Sequence, residues 1–404
     1  MSGRIFEGLK VIDCASFIAA PVAATFMADF GADVVKIEAP GGDPYRSLYQ
    51  GPGMPVADFD YAWFADNRSK RGICLDLKQV SAREILLKLV AEADVFITNF
   101  PFPVREKLKL RYEDLISANP KLIYASLTAY GEEGEEANKT GFDSTALWAR
   151  SGLMDMIKSS PDEAPARSAP GMGDHPTGTA LFAGIAMALY QREKTGEGSY
   201  VSSSLVANGA WWNSFYLQAA LSDAEIPVRP HRDEWFNALS NHYRCKDGRW
   251  FILALVNEMR QIDWFIKAID RPDIIEDPRF KTLELRKKNA KALTKILDDV
   301  FIKKDWEEWR QILGSHGITF GVVRKTSDIP KDQTFEDAGA VIDAGVGNPA
   351  TKTIGTPVFM RGQEKSPVRP APSVGQHNNE ILAELGYSAN EIANLRAGGA
   401  IQDG

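Results

Sequence analysis

The chain of 404 residues holds only three cysteines, Cys14, Cys74 and Cys245, far apart and without CxxC or Cys/His ligand spacing. That excludes a disulfide framework and gives no support to a zinc or other metal site. Positive charge is in short supply too: 47 basic against 54 acidic residues leave a formal charge of −7. The chain therefore has no overall footprint for nucleic acid, and an anionic ligand needs a local basic site. No apolar run reaches the ~18 to 20 residues of a membrane span, so no membrane role is indicated. Met1 to Leu9 is charged and lacks the apolar segment of a secretory signal, and with so few cysteines a reducing cytoplasm fits. Catalytic motifs are also missing: there is no GxxxxGK[ST], GxSxG, HExxH or GxGxxG. Nucleotide hydrolysis, serine hydrolysis, zinc proteolysis and dinucleotide redox chemistry lose their usual sequence support.

What is present is the balance of a globular enzyme, 44% apolar, 25% charged and 10% aromatic, long enough for two or three compact units. The first 130 residues alternate strand and helix. Leu9 to Asp13 and Val34 to Glu38 flank the Ala-rich helix Pro21 to Phe30. Ser81 and Glu84 stand at capping-box spacing before a helix through Ala91; Val95 to Thr98, Tyr112 to Ala118 and Leu122 to Leu127 continue the pattern. This predicts an α/β fold, a parallel sheet covered on both faces, with ligand expected beyond the strands' carboxyl ends. A small-residue helix, Pro176 to Arg192, and the alternating strand Tyr200 to Leu205 follow. A polar linker near Ser222 to Arg232 then leads to a smaller α/β domain. It begins with a hairpin turning at Asp247-Gly248, and a helix from Leu283 to Phe301 and a second from Trp306, capped by Asp305, come after it. The expected division is a large domain over residues 1–221, a small one over 222–325, and a C-terminal segment, 326–404, returning to the first. Helices are expected from Asn378 and, capped by Ser388 and Glu391, at the end of the chain.

The glycine cluster Gly171-Met172-Gly173-Asp174-His175-Pro176-Thr177-Gly178 opens the small-residue helix. By itself, an Asp after Gly and before a helix is more often an N-cap than a nucleophile. The cluster stands in order with Val11-Ile12-Asp13, Gly31-Ala32-Asp33-Val34-Val35-Lys36-Ile37-Glu38, Asn67-Arg68-Ser69-Lys70-Arg71, Leu75-Asp76-Leu77-Lys78, Thr98-Asn99-Phe100, Thr195-Gly196-Glu197-Gly198 and Gly375-Gln376-His377-Asn378-Asn379-Glu380. This ordered set resembles the family III CoA-transferases over nearly the whole chain. The resemblance implies a large Rossmann-like domain, a smaller α/β domain, and two chains interlocked as rings in a homodimer. It makes Asp174 the catalytic aspartate and a CoA thioester the co-substrate, with no prosthetic group. Positions matching CoA contacts are Leu75, Lys78, Asn99 and Phe100, with Lys107 in place of an arginine; Arg71 is a further basic candidate. Amides near Gly173 and the helix start would hold the oxyanion. The bland alternatives are a solvated basic turn for Asn67 to Arg71 and a core position for Phe100.

Departures from the family narrow the reading. The racemases of this family carry a His where Phe142 stands, and a phenyl ring cannot move a proton. His175 reads as an ordinary residue of the helix start. Formyl-CoA:oxalate transferases carry a Gln where Ile18 stands and a glycine lid where His231-Arg232-Asp233-Glu234-Trp235-Phe236-Asn237 stands here. The acyl site is thus expected to be apolar, with Ile18, Phe142, Gly173, Trp235 and Phe236 at the substrate, and Arg232 or Asn237 as candidates for a carboxylate or hydroxyl. Trp148, Trp211 and Trp212 read as core or dimer interface. This resembles the branch that moves CoA between 2-hydroxy acids and acyl or enoyl esters in amino-acid fermentation to phenyllactate, cinnamate or isocaproate. The alternatives are a CoA-ester isomerase or racemase, and a non-catalytic CoA-ester binding protein.

Overall fold

The computed structural model describes residues 3–404; the first two positions of the Met1 to Leu9 reading lie outside it. Six strands, β1 (Lys10–Asp13), β2 (Asp33–Glu38), β3 (Arg71–Cys74), β4 (Val95–Thr98), β5 (Ile123–Thr128) and β6 (Ser199–Ser204), form one parallel sheet in the order β3-β2-β1-β4-β5-β6. The interiors of β1 to β5 are buried on both faces, as a parallel sheet sandwiched by helices requires, while the edge strand β6 is buried only at Ser204. The order reverses between β1 and β4. Loops leaving those two neighbouring strands diverge to opposite faces and open a crevice at their carboxyl ends, the place where doubly wound sheets bind ligands.

Two helices set the floor of that crevice. Ala19–Asp29 is buried along its whole length, and Asp174–Thr195 packs across it. Gly178 makes the crossing feasible: a Cβ there would stand 2.4 Å from the carbonyl oxygen of Ala19 and 2.8 Å from the Val22 side chain. The outer edge, β3, is closed by the C-terminal segment. The Gly72 amide donates to His377 Nδ1 at 3.0 Å, the Cys74 amide donates to Asn378 Oδ1 at 2.9 Å, and Leu75 bridges to Ile401. The motif near the C-terminus thus satisfies edge-strand amides that would otherwise invite another strand. Ser388 and Glu391 cap the last helix, Ala389–Ala397, reciprocally.

The contacts divide the chain into two units: one runs to Met154 and includes Arg167–Ser222 and Gln333–Gly404; the other is Asp155–Ala166 with Asp223–Asp332. The short segment Asp155–Ala166 lies in the second unit, not the large domain, and carries Asp162 3.5 Å from His231 of that unit. The second unit is a three-stranded antiparallel sheet, β7 (His242–Arg244), β8 (Trp250–Leu253) and β9 (Phe320–Val322), with helices around an aromatic core. Phe301 is the hub, its ring centroid 4.8 to 5.0 Å from those of Phe251, Tyr243 and Trp309.

Two helix expectations change. Leu283 to Phe301 is two helices, Leu283–Lys288 and Ala290–Phe301, broken where the Asn289 side chain donates to the carbonyls of Leu285 and Arg279. Ser81 is not a cap, because the turn made by Asp76 and Gln79 starts the helix Val80–Glu92 earlier. The basic run Asn67 to Lys70 is not a solvated turn. Lys70 is fully buried and donates to Asp13 at 2.8 Å, to Asn67 Oδ1 at 2.9 Å and to the Pro21 carbonyl at 2.8 Å, while Lys36 reaches Asp13 at 3.5 Å and Asp43 at 3.3 Å. Among the described residues no helix is long and apolar enough to cross a membrane, and no cluster of three or more potential metal-ligating side chains occurs.

Candidate active site

A cavity of about 790 Å³ fills the crevice, lined by the loop after β1, the loop after β4, the segment 137–144 and the loop 167–171 ahead of Asp174. Asn99 staples the first two loops. Its side-chain oxygen accepts from the Ser16 amide at 2.8 Å and its nitrogen donates to the Ser16 carbonyl at 2.7 Å. Below them, Lys36 holds the Ala15 carbonyl and Asp43 accepts from the Phe17 amide at 3.2 Å. Phe17 is held at φ 61°, a left-handed conformation costing an aromatic residue roughly 1–2 kcal/mol. The surrounding bonds stabilise it, and its ring meets that of Phe142 edge-on at 5.4 Å. Phe17, Ile18, Leu48, Met54, Phe100 and Phe142 make this wall apolar.

Asp174 is the first residue of its helix, and Gly173 occupies the cap position. Its half-buried carboxylate accepts no hydrogen bond among the described residues, so capping, the alternative open in the sequence, is not its role. Burial pushes the Asp174 carboxyl up to about 7; the nearby charges of Asp143 and Asp66 add to this and His175 opposes it. Asp143, at the start of the π-helical turn Asp143–Ala149, accepts from the Gly173 amide at 3.1 Å. That approach needs glycine: a Cβ on residue 173 would stand 2.9 Å from the Asp143 Cβ. It also removes the Gly173 amide from the expected oxyanion donors, leaving the helix start beyond it.

His175 is more than a bystander. Nε2 lies 2.9 Å from Asp66 Oδ1 and Nδ1 2.9 Å from the Gly171 carbonyl, while the Tyr45 hydroxyl donates to Asp66 Oδ2 at 2.6 Å. Burial works against its protonation, but the bond to Asp66 and that carboxylate's charge outweigh burial and push the imidazole up to about 9. At neutral pH it is an imidazolium donating from both nitrogens, and it pins the loop that delivers Asp174.

Of the residues anticipated from sequence, the cavity lining brings together Asp174, Ile18, Phe142, Asn99 and Phe100. Leu75 and Lys78 follow the carboxyl end of β3, the first in the core and the second exposed, and neither lines the cavity. Lys107 is exposed on the helix Phe102–Leu108, outside the lining. Arg71 departs furthest: it starts β3, at the opposite end of the sheet, and its guanidinium is taken by Asp33 at 2.6 Å, Glu384 at 2.8 Å and Glu380 at 2.9 Å. Trp235 and Phe236 belong to the second unit, as does Arg232, which is engaged by Asp298 at 2.6 Å and by the His242 carbonyl. Asn237 accepts from the Leu239 amide at 2.8 Å. Trp148 is buried, and Trp211 and Trp212 are exposed. The sequence reading passed over Phe17, Arg167 and Lys139 in the lining, and the Asp66–His175 pair. Asp143 was visible in the segment Gly141-Phe142-Asp143, where the neighbouring Phe drew the argument.

The model of CoA-transferase family III matches residues 6–378. The (R)-2-hydroxy-4-methylpentanoate CoA-transferase of Clostridioides difficile is 33% identical over 97% of this chain and 98% of its own. The cinnamoyl-CoA:phenyllactate CoA-transferase of Clostridium sporogenes is 33% identical over 97% and 96%. Among solved structures, a CAIB/BAIF family protein from Brucella suis superposes with a TM-score of 0.84 at 29% identity, covering 95% of this chain and 100% of that one.

Proposed function

Because the chain belongs to CoA-transferase family III, we propose that it moves CoA from a thioester donor to a free apolar acid, a 2-hydroxy acid of the phenyllactate or 2-hydroxyisocaproate type or its enoate, with Asp174 as nucleophile. The observation that carries this is Asp174 itself, a carboxylate with no hydrogen bond among the described residues, raised toward neutrality, in a cavity walled by Ile18, Phe100 and Phe142. A desolvated carboxylate of raised pKa is the more nucleophilic anion. Its oxygen attacks the donor carbonyl, and CoA leaves as the thiolate, taking the C–S bonding pair. The mixed anhydride R–CO–O–CO–Asp174 is then attacked at the aspartyl carbonyl by that thiolate, which releases the donor carboxylate and forms the aspartyl-CoA thioester. The acceptor carboxylate reverses both steps and regenerates Asp174. Thioester is exchanged for thioester, so the cycle draws on no other energy source.

Asn99 and Phe100 flank the CoA entry in this reading, with Lys78 and Lys107 available to its phosphates. The pair of chains is a homodimer of interlocked rings, supported by the helix Ser214–Leu221, which buries none of its residues and exposes Phe215 and Leu221. The location is cytoplasmic. Racemisation and isomerisation are disfavoured by Phe142, which offers no proton.

The test is a mass-spectrometric exchange assay on a preparation whose mass in solution is also measured. It offers one aromatic and one branched acyl-CoA donor to a panel of 2-hydroxy, enoic and dicarboxylic acids. New acyl-CoA species are expected with the apolar 2-hydroxy acids, and Asp174→Asn is expected to lower the rate by at least about 10³-fold. Exchange that survives in Asp174→Asn, or loss of the donor α-proton to deuterated solvent without any acceptor, sinks the reading; a 44.5 kDa monomer removes the dimer from it.

A further inference from the structure

The lining of the Asp174 cavity contains four charged side chains, Lys139, Asp143, Arg167 and Asp174. Three are accounted for. Lys139 is matched by Glu136 at 2.9 Å, Asp143 accepts from the Gly173 amide, and Asp174 is the nucleophile. Arg167 is exposed to the cavity and makes no side-chain hydrogen bond or ion pair among the described residues. Three less exposed arginines of this unit are paired, Arg46 with Glu38, Arg68 with Asp29 and Arg71 with three carboxylates, whereas Arg4, Arg83 and Arg361 also lack a side-chain partner among the described residues but lie outside the cavity lining. Beside Arg167 a second polar group is idle, because Ser168 Oγ is buried with no partner and its residue also lines the cavity.

Transfer as proposed above imposes a specific demand on this space. A free carboxylate must enter, and another must leave, between apolar walls and alongside the negative charge of Asp143. Bringing a carboxylate out of water into such a site is costly unless a cation meets it. When the acceptor arrives, Asp174 is a neutral thioester and the Lys139 charge is already matched by Glu136. Arg167 is the remaining positive charge in the lining, and a guanidinium suits a carboxylate because its parallel N–H groups bind both oxygens at once.

We propose that Arg167 is the specificity residue that receives the carboxylate of the free acid, the donor's as it departs and the acceptor's as it arrives. This rests on the transfer reading. Arg167 exchanges no proton in the cycle; it holds the acid so that one carboxylate oxygen faces the Asp174 thioester carbon. The same position explains how a largely apolar cavity selects an acid over its amide or ester: the neutral analogue leaves the guanidinium unmatched.

The experiment compares wild type with Arg167→Gln and Arg167→Lys, using (R)-2-hydroxy-4-methylpentanoate and phenyllactate as probe acids. Calorimetric titration measures binding of each acid and of free CoA, and the exchange assay supplies KM. The expected result for Arg167→Gln is a rise of roughly 10- to 100-fold in KM and Kd for the acid, the scale of a lost charge-assisted pair. Arg167→Lys should fall between, and the Kd of free CoA should stay within about twofold. Both variants alter an exposed side chain without partners, so thermal melting is expected to match wild type. Acid affinity unchanged in Arg167→Gln overturns the proposal. So does a CoA affinity that falls as far as the acid's, which would give the guanidinium to a CoA phosphate. Active exchange indifferent to Arg167 sinks this inference and leaves the transfer reading standing. Acid binding that depends on Arg167 in a protein that moves no CoA does the reverse.

Discussion

The crevice of the first unit and the core of the second solve opposite problems. In the second, Tyr243, Phe251, Phe265, Phe301, Trp306 and Trp309 pack ring against ring, and their burial stabilises the unit directly. Under the crevice the chain buries Asp13, Lys36, Asp43, Asp66 and Lys70, and then holds Phe17 in a left-handed conformation above them. Buried ions add little net stability compared with apolar packing. What they do here is fix geometry: Lys36 and Lys70 bind carbonyls of Ala15, Pro21 and Asp66, so the loop after β1, the first turn of the helix Ala19–Asp29 and the end of the helix Tyr61–Asn67 cannot move independently. One region is built for stability, and the other gives up stability for a defined surface around Asp174.

The sharpest way to break this contrast is to damage both sides equally. Lys70→Met leaves Asp13 buried with one fewer cation and should cost about 3–5 kcal/mol. Phe301→Ala opens a cavity among the rings and should cost a similar ~3–5 kcal/mol. Denaturant melts are expected to register both, but the residual folded enzymes should differ. The Lys70 variant should lose exchange activity per folded molecule at least about tenfold as the Pro21 and Asp66 carbonyls lose their anchor, a displacement effect, while Phe301→Ala should keep the pH dependence of kcat/KM unchanged. Equal kinetic damage from both would erase the distinction.

A smaller effect has the opposite sign. Asp174 in the folded chain titrates near 7, above the 3.8 of an unhindered aspartate, so its ionised form is disfavoured by folding. Its contribution to stability is fully present below pH 3.8 and is lost as pH rises through about 7. Asp174→Asn removes that penalty and should stabilise the protein by about 1–2 kcal/mol at pH 7.5, allowing for solvent at a half-buried site. The gain should vanish toward pH 4. A variant equally stable to wild type at both pH values would mean that Asp174 is well solvated.

How far the sequence carried depended on where a residue's partners lie. The glycines before Asp174 and the helix after it were legible locally but by themselves favoured a cap, and it was the ordered set of motifs along the chain that singled the residue out. Strand β3, only four residues long, was passed over, while the other five of the six strands were legible through periods that are local. Arg71 was not, since a basic run reveals neither which end of a strand it occupies nor that Asp33, Glu380 and Glu384 converge on it. Lys70 looked like part of a solvated turn because Asp13 and Pro21, its partners, are some 50 positions away in the chain. Asn99 stood out as a ligand contact, yet its amide is occupied in holding Ser16. Arg167 carries no motif at all, and its interest comes from which acidic groups fail to reach it, a property only the folded chain has.

The finest test of the crevice separates Asp174 from every other titrating group. Desolvation and the Asp143 charge both raise its pKa, so kcat/KM, which reports the free enzyme, should climb with pH through about 7 as the nucleophile ionises. Asp143→Asn keeps the side chain's size and leaves an oxygen to accept from Gly173, but removes the charge. The rising limb should then move to lower pH, by roughly half a unit to one unit for a neighbouring charge in a partly solvated site. His175→Gln removes the opposing cation and should move the limb the other way. Opposite displacements from two neighbours of opposite charge are the signature of one titrating carboxylate between them. A limb that ignores both substitutions belongs to the substrate or to another residue, and Asp174 would then be an ordinary ionised aspartate whose reactivity owes nothing to its burial.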